Sequence, residues 1–426
     1  MKFLLVITAL MPLMMAPSAF FPYISGKVVY FRLLITIVSI LFFIALMEKK
    51  YFREQVNTRM RVLCKNPIFI CLSAFYVVFS VSAFFAVNHT WAFYGSIERG
   101  EGVIGMLFFY GLFLFSLFLF QEKEWINFFK LSLIVSVIFF IHAVIEAQNG
   151  VIRSASFTGH PTYLAAYFIF IIFIVFLFCL NTVPLARFWK TVSIAVIPMS
   201  LIGILITKTR GALVGLAAGL FMALIYMAIF GKSLKWKRFN ARHVSLACLS
   251  VLILFISLLV MTRQHPFWQM IPGLNRVAQM SLKDQTTQSR ILTAKVALQS
   301  VDPREGNMDK LLTGWGPENF SIAWNKYYDP KIYVNDPTTL DRAHNKVLDT
   351  LVMNGIFGLI FYILTWFFAF KAIVQKGDQM PYRLPLLFFG VSYFVQNLFV
   401  FDSVVTYIPF FAFFSFLVFL QLEKKI

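Results

Sequence analysis

The sequence predicts an all-α polytopic membrane protein with about twelve transmembrane helices and one large hydrophilic loop. Three observations carry this. The 426 residues are 59% hydrophobic and only 13% charged, roughly half the charged share of a soluble domain. Mean hydropathy is +0.77. Apolar runs close to the roughly 20 residues that a crossing needs recur along the chain, and the cations gather in alternate loops.

In chain order the runs are 3–22, 28–47, 67–86, 103–120, 126–147, 160–180, 190–207, 211–230, 244–261, 346–370, 384–401 and 405–422. The first begins at Met1-Lys2 and stays apolar to Phe21, with Ala16 and Ala19 near a possible signal cleavage point. Its length, and the many runs that follow, favour an uncleaved first helix over a signal peptide. The loop after the second run carries Lys49, Lys50, Arg53, Arg59, Arg61 and Lys65. The loop after the eighth carries Lys232, Lys235, Lys237, Arg238 and Arg242, and the tail ends in Lys424-Lys425. The positive-inside rule then puts both termini in the cytoplasm, and the segment 262–345 outside the cytoplasmic membrane. The chain divides accordingly. Residues 1–261 hold nine spans, 262–345 form an extracytoplasmic loop domain, and 346–426 hold three more.

The net charge of +19 is on this reading a topological signal, and no nucleic-acid partner follows from it. Cys64, Cys71, Cys179 and Cys248 avoid the large loop and show no C-x-x-C spacing, so neither a disulfide framework nor a metal site is expected. No Walker motif, metal-ligand cluster or G-x-S-x-G elbow occurs. Few acids lie inside the runs, which disfavours a proton-coupled pump. Within the loop, Ser289–Val301 reads as an amphipathic helix. Gly316-Pro317-Glu318 reads as a helix start, while Asp329-Pro330 and Asp336-Pro337 read as turns.

Cations expected on the outer side are the candidates for chemistry. Thr207-Lys208-Thr209-Arg210-Gly211 joins the seventh and eighth runs. Arg210 either snorkels to head groups or forks onto an anion such as a pyrophosphate. Arg32 lies near the outer end of the second run, where an ionisable group is a functional candidate. Arg99 sits between glycines in Gly95–Gly102 and either pairs with Glu98 or Glu101 or meets a ligand. Arg153 is a weaker case. Arg290, expected to open the loop helix as Ser289-Arg290-Ile291-Leu292, reads on spacing alone as a solvated surface charge or a functional cation. With Asp341 as N-cap, His344 would occupy the third helical position, where the helix dipole disfavours imidazolium. A neutral His there is either a general base or an interfacial cap. His160 is similarly placed, and His265 is an ordinary loop residue. Asp402 would orient His344, pair with an Arg, or simply form a turn. The sequon Asn88-His89-Thr90 is discounted as a chance match.

Taken together these segments resemble the O-antigen ligase family, the Wzy-C-type membrane glycosyltransferases. Thr207–Gly211 is similar to the family's Thr-x-Thr-Arg segment, and Ser289-Arg290 to its second arginine. Gly314–Phe320 is similar to a glycine-rich stretch, and His344-Asn345 with Leu348, Gly355 and Gly358 to its His-Asn motif. Asp402 falls where members carry an Asp. Gly159–Tyr167 and Glu98-Arg99-Gly100 are similar to further pieces. One departure is Arg342-Ala343, where some ligases carry an additional His.

The resemblance implies a GT-C-like fold and a metal-independent, inverting transfer that uses no cofactor. The donor would be a glycan on undecaprenyl pyrophosphate, and the acceptor a sugar hydroxyl on lipid A-core or another surface glycan. Arg210 and Arg290 would bind the pyrophosphate, with Arg99 and Arg32 as further substrate ligands. His344 would act as base, and Asp402 and Asn345 would orient it or serve structurally. The expected partners are the lipid-linked glycan, its acceptor and membrane lipids. The alternatives are a polymerase of the same family and a transporter or flippase for an anionic lipid-linked substrate.

Overall fold

A computed structural model describes residues 1–180, 185–231, 235–236, 239–335, 340–375 and 380–424. Lys232, Lys237, Arg238, Lys425 and the expected Asp336-Pro337 turn lie outside the described residues. The described chain is almost entirely helical. One two-residue antiparallel pairing, Lys235–Trp236 with Phe239–Asn240, is the exception. Eleven of the twelve apolar runs lie mostly in helix, and the first does so only in part. Among the described residues, nine helices are long and apolar enough to cross a membrane, and the protein is a multi-pass membrane protein.

The first run departs from expectation. Its helix ends early, as Lys2–Val6 in α and Ile7–Leu13 in 3-10 geometry, and the backbone is extended at Met14. That is short of the roughly 20 residues of a crossing. Pro12 removes one donor from the ladder and Pro22 starts the next helix, Pro22–Glu48. The carbonyls left open where the first helix ends are satisfied by the second. Lys27 Nζ donates to Met14 O at 2.9 Å and to Tyr23 O at 2.7 Å, and Tyr30 Oη donates to Ile7 O at 3.0 Å. The cation-rich stretch after Pro22–Glu48 is also helical, as Lys50–Leu63, with Val56 and Leu63 buried. Arg59 of this helix donates to Leu117 O and Phe118 O at 2.8 and 3.1 Å, closing the end of Val103–Leu119.

The chain forms two compact units interleaved in sequence. The first comprises residues 1–125, 281–369 and 397–422. Its centre is the helix Val404–Leu422, which is buried along nearly its whole length. Aromatic edges and faces do the packing that a phenylalanine-rich sequence invites. Phe109 lies 5.0 Å from Tyr407, and Trp366 lies 5.0 Å from Phe414, centroid to centroid.

In the same unit the segment from Ser281 folds over a core of its own, built on Trp315, Phe320 and Trp324. That core continues into Leu351, Val352 and Met353 of the helix Lys346–Val374. The junction depends on a break in this helix at Gly355 (φ 68°, ψ −172°). The break frees two carbonyls, and Val352 O and Met353 O accept from Trp315 N and Gly316 N at 2.8 and 2.9 Å. A Cβ on Gly355 would lie 2.3 Å from Leu312 O, a backbone atom that cannot rotate away. Gly355→Ala is therefore expected to destabilise the protein by at least about 1–3 kcal/mol from backbone strain alone. Melting in detergent is the measurement, and a wild-type midpoint would contradict this account of the break.

The expected helix starts in this segment move. The helix carrying Arg290 runs Gln285–Gln299, because Asp284 accepts from Thr287 N at 3.0 Å and caps it. Arg290 therefore sits in the second turn and does not open the helix. The Gly316-Pro317-Glu318 segment is a turn, and the helix begins only at Phe320. Asn319 fixes that turn, since its Oδ1 accepts from Asn88 N at 2.7 Å and its Nδ2 donates to Pro317 O at 2.7 Å.

The second unit comprises residues 126–280, 370–396 and 423–426. Its buried centre is Pro161–Cys179. Helices Arg210–Phe230 and Met380–Gln396 approach closely at a small-residue pair, Gly215 and Gly219. A Cβ would stand 2.5 Å from Ser392 O at Gly215, and 1.9 Å from Ser392 Oγ at Gly219. Only glycine permits this spacing, a common device where lipid supplies no hydrophobic drive.

Candidate active site

In the first unit the residues around His344 form a pinned turn. The helix that follows starts at Lys346, and its cap is Asn345, whose Oδ1 accepts from Val347 N and Leu348 N at 3.0 and 3.2 Å. Asp341 is therefore not the cap, and His344 precedes the helix. Its backbone is left-handed at φ 52°, a region that most side chains avoid. Its ring stacks on Phe401 at 5.2 Å. Asp341 instead takes a hydrogen bond from Arg99 Nε. Burial works to raise the Asp341 carboxyl, but the Arg99 guanidinium and then Arg342 outweigh it and hold it below the usual range.

Arg99 is nearly buried, lies 3.7 Å from Glu98, and places its guanidinium 4.6 Å from the Phe401 centroid. Its neighbour Glu101 pairs elsewhere, with Arg342. Arg32 donates to Gly100 O at 2.9 Å and so fastens the same 95–102 loop from the helix Pro22–Glu48. Arg290 holds its guanidinium 6.0 Å from the Phe399 centroid. Asp402 accepts from Asn397 Nδ2 at 3.1 Å and from Thr406 Oγ1 at 3.3 Å, with Lys346 Nζ at 3.4 Å. A lysine, which sequence reasoning had not considered, thus faces this aspartate.

Beneath the turn lies a cavity of about 30 Å³ lined by six charged side chains: Glu101, Glu318, Arg342, Lys346, Asp349 and Asp402. A volume of that size accepts one or two waters. Arg342 is its hub. Its Nη2 donates to Glu318 Oε1 at 2.5 Å and to Glu101 Oε2 at 3.0 Å, and its Nε lies 3.9 Å from Asp349 Oδ2.

Burial pushes the Glu101 carboxyl up to about 7, with Arg342 opposing and Glu318 adding to the rise. For the Arg342 guanidinium, burial acts against the charge, but Glu318, Asp349, Glu101 and Asp341 outweigh it and keep it protonated. An acid whose folded pKa is raised stabilises the fold through its protonated form. That contribution is complete below about 4.5 and is lost as pH climbs through about 7. Melting in detergent is thus expected to weaken from about pH 5 to about pH 8. Glu101→Gln should flatten that decline. An unchanged slope in the variant would rule Glu101 out as its source.

The second unit holds Arg210, the first residue of the helix Arg210–Phe230, behind the N-cap Thr209. The preceding helix ends at Thr207, and Lys208 turns left-handed at φ 51°. Two more cations close on this turn. Arg153 Nε donates to Thr207 O at 3.3 Å, and Arg276 Nη1 donates to Lys208 O at 3.1 Å. The carbonyls at the end of one helix attract guanidinium groups, while the start of the next favours anions. Arg153, Lys208, Arg210 and Arg276 therefore concentrate positive charge at one turn. Sequence reasoning singled out Arg210 and, less strongly, Arg153. Arg276 gave no signal, because only the fold brings it back to the Lys208 carbonyl, 68 residues earlier in the chain.

The remaining histidines considered from sequence have local roles here. His160 and His265 each accept the N–H two residues on, from Thr162 and Phe267 at 3.2 Å, and cap the helices Pro161–Cys179 and Pro266–Met270.

No curated protein matches the chain. The resemblance read from the sequence is borne out by a family model: residues 194–363, which carry Arg210, Arg290 and His344, match the O-antigen ligase family (Wzy-C).

Proposed function

We propose that the protein is an O-antigen ligase-like glycosyltransferase working at the outer face of the cytoplasmic membrane, with both termini inside. The donor is a glycan on undecaprenyl pyrophosphate, and the acceptor is a hydroxyl of lipid A-core or another surface glycan. The observation that carries this reading is the family match, because Arg210, Arg290 and His344 all fall within it. The chemistry of the side chains supports it. His344 takes the proton of the acceptor hydroxyl while the oxygen attacks the anomeric carbon from the face opposite the leaving group. The bond from that carbon to the pyrophosphate oxygen breaks, and undecaprenyl pyrophosphate departs with the electron pair. Arg210 and Arg290 neutralise the charge that develops on it. The added cations at the 207–210 turn, Arg153 and Arg276, favour an anionic ligand there.

The experiment is a glycan readout in a strain that lacks the protein. A ligase predicts that long lipid-linked chains persist while the final acceptor stays bare. Accumulation of single repeat units would identify a polymerase instead, and unaltered glycans would remove the transferase reading.

A further inference from the structure

We propose that Arg342 is a positioning residue for His344, acting through the backbone of the turn they share. The inference rests on His344 being the base. Arg342 is 3% exposed, and its contacts come from three separate stretches of chain. Glu101 belongs to the 95–102 loop, Glu318 to the turn before Phe320, and Asp349 and Met353 to the helix from Lys346. Glu318 reaches the guanidinium from a left-handed backbone, φ 61°.

The residues flanking His344 are fixed in the same way. Ala343 N donates to Asp349 Oδ1 at 3.1 Å, Asp341 is held by Arg99, and Asn345 caps the helix. His344 itself keeps an unfavourable φ of 52°, which persists only when the surroundings over-determine it. The Arg99 and Arg342 guanidinium groups also lie 4.6 and 6.0 Å from the centroid of Phe401, the ring on which His344 stacks. Burying one guanidinium among three carboxylates is poor design for stability alone, since desolvation offsets much of the attraction. It is good design for holding one geometry.

The test is a double-mutant cycle on transfer by the purified protein. Arg342→Lys keeps the charge but loses the planar fork. It is expected to lower kcat by about 10- to 100-fold, the scale of an ångström-level misplacement, with donor and acceptor KM changed by less than about twofold. In a His344→Ala background the same change should add nothing beyond about twofold, because it acts only through His344. Multiplying effects, or a KM that moves as far as kcat, would overturn the proposal.

Should Arg342→Lys fail to accumulate, Glu318→Gln, which preserves shape, takes its place in the cycle. If the His344→Ala background turns over too slowly to read, carbethoxylation of His344 by diethylpyrocarbonate is followed by peptide mass spectrometry. A severalfold change in rate on Arg342→Lys supports positioning, and an unchanged rate defeats it. Full activity in His344→Ala alone would remove the base itself, an outcome distinct from failure of the cycle.

Discussion

His344→Ala is expected to lower glycan transfer by about 10²- to 10⁴-fold, the usual contribution of a positioned general base, while the protein accumulates in membranes at the wild-type level. The separation of effects follows from where the residue sits. His344 precedes the helix at Lys346, and Asn345 supplies the cap, so removing the imidazole leaves the helix start intact. The ring stacks on Phe401 at 5.2 Å, a contact on the modest scale of an aromatic pair. Activity should therefore fall far more than stability. Donor binding should change little, since the cations assigned to the pyrophosphate are untouched. The measurement is initial rate at saturating donor, normalised to protein in the membrane. A rate within about threefold of wild type would mean that the acceptor proton leaves by another route.

Arg342→Met has the opposite profile. It is expected to destabilise the first unit by about 3–5 kcal/mol, because removing one partner of a buried ion cluster leaves uncompensated charge behind. Glu101, Glu318 and Asp349 would share a lining from which the central cation is gone. Met fills similar volume, so the loss reports charge and hydrogen bonding more than a cavity. Adding Glu101→Gln to Arg342→Met should restore part of the lost stability by removing one of the stranded carboxylates. Unfolding in detergent, followed across pH, reads both effects. A change below about 1 kcal/mol for Arg342→Met would place the cluster in the class of solvated surface pairs.

Much of the helical layout was legible in the sequence because a bilayer imposes a strict length and composition on whatever crosses it. Eleven of the twelve runs lie mostly in helices for that reason. The exception, residues 3–22, shows the limit. Hydropathy counts apolar residues and does not register that Pro12 weakens the helix before its end at Leu13, or that Lys27 of the next helix satisfies the Met14 carbonyl. Local cap signals were ambiguous in the loop segment. Asp284, Asn319 and Asn345 all precede helices, but so do Pro317 and Asp341, and only the long-range contacts of Asn319 and Asp341 decide between them.

For the candidate site, Arg210, Arg290 and His344 were visible as residue types in a family-like order. The support beneath His344 was not, because Glu101, Glu318, Arg342 and Asp349 are far apart in sequence and meet only when the 95–102 loop, the Glu318 turn and the helix from Lys346 fold together. Arg342 was noted only as a departure from a family pattern, and the structure makes it the hub of the buried charges.

The most direct test of the central claim is reconstitution of the transfer itself. Purified protein in lipid vesicles is given an undecaprenyl-pyrophosphate-linked glycan and an acceptor glycolipid, and the glycolipid is followed by gel shift and mass spectrometry. The expected result is a glycan-bearing acceptor, released undecaprenyl pyrophosphate in equal amount, and loss of both products in His344→Ala. Movement of intact donor across the bilayer with no new glycosidic bond would contradict the claim and point to a transporter.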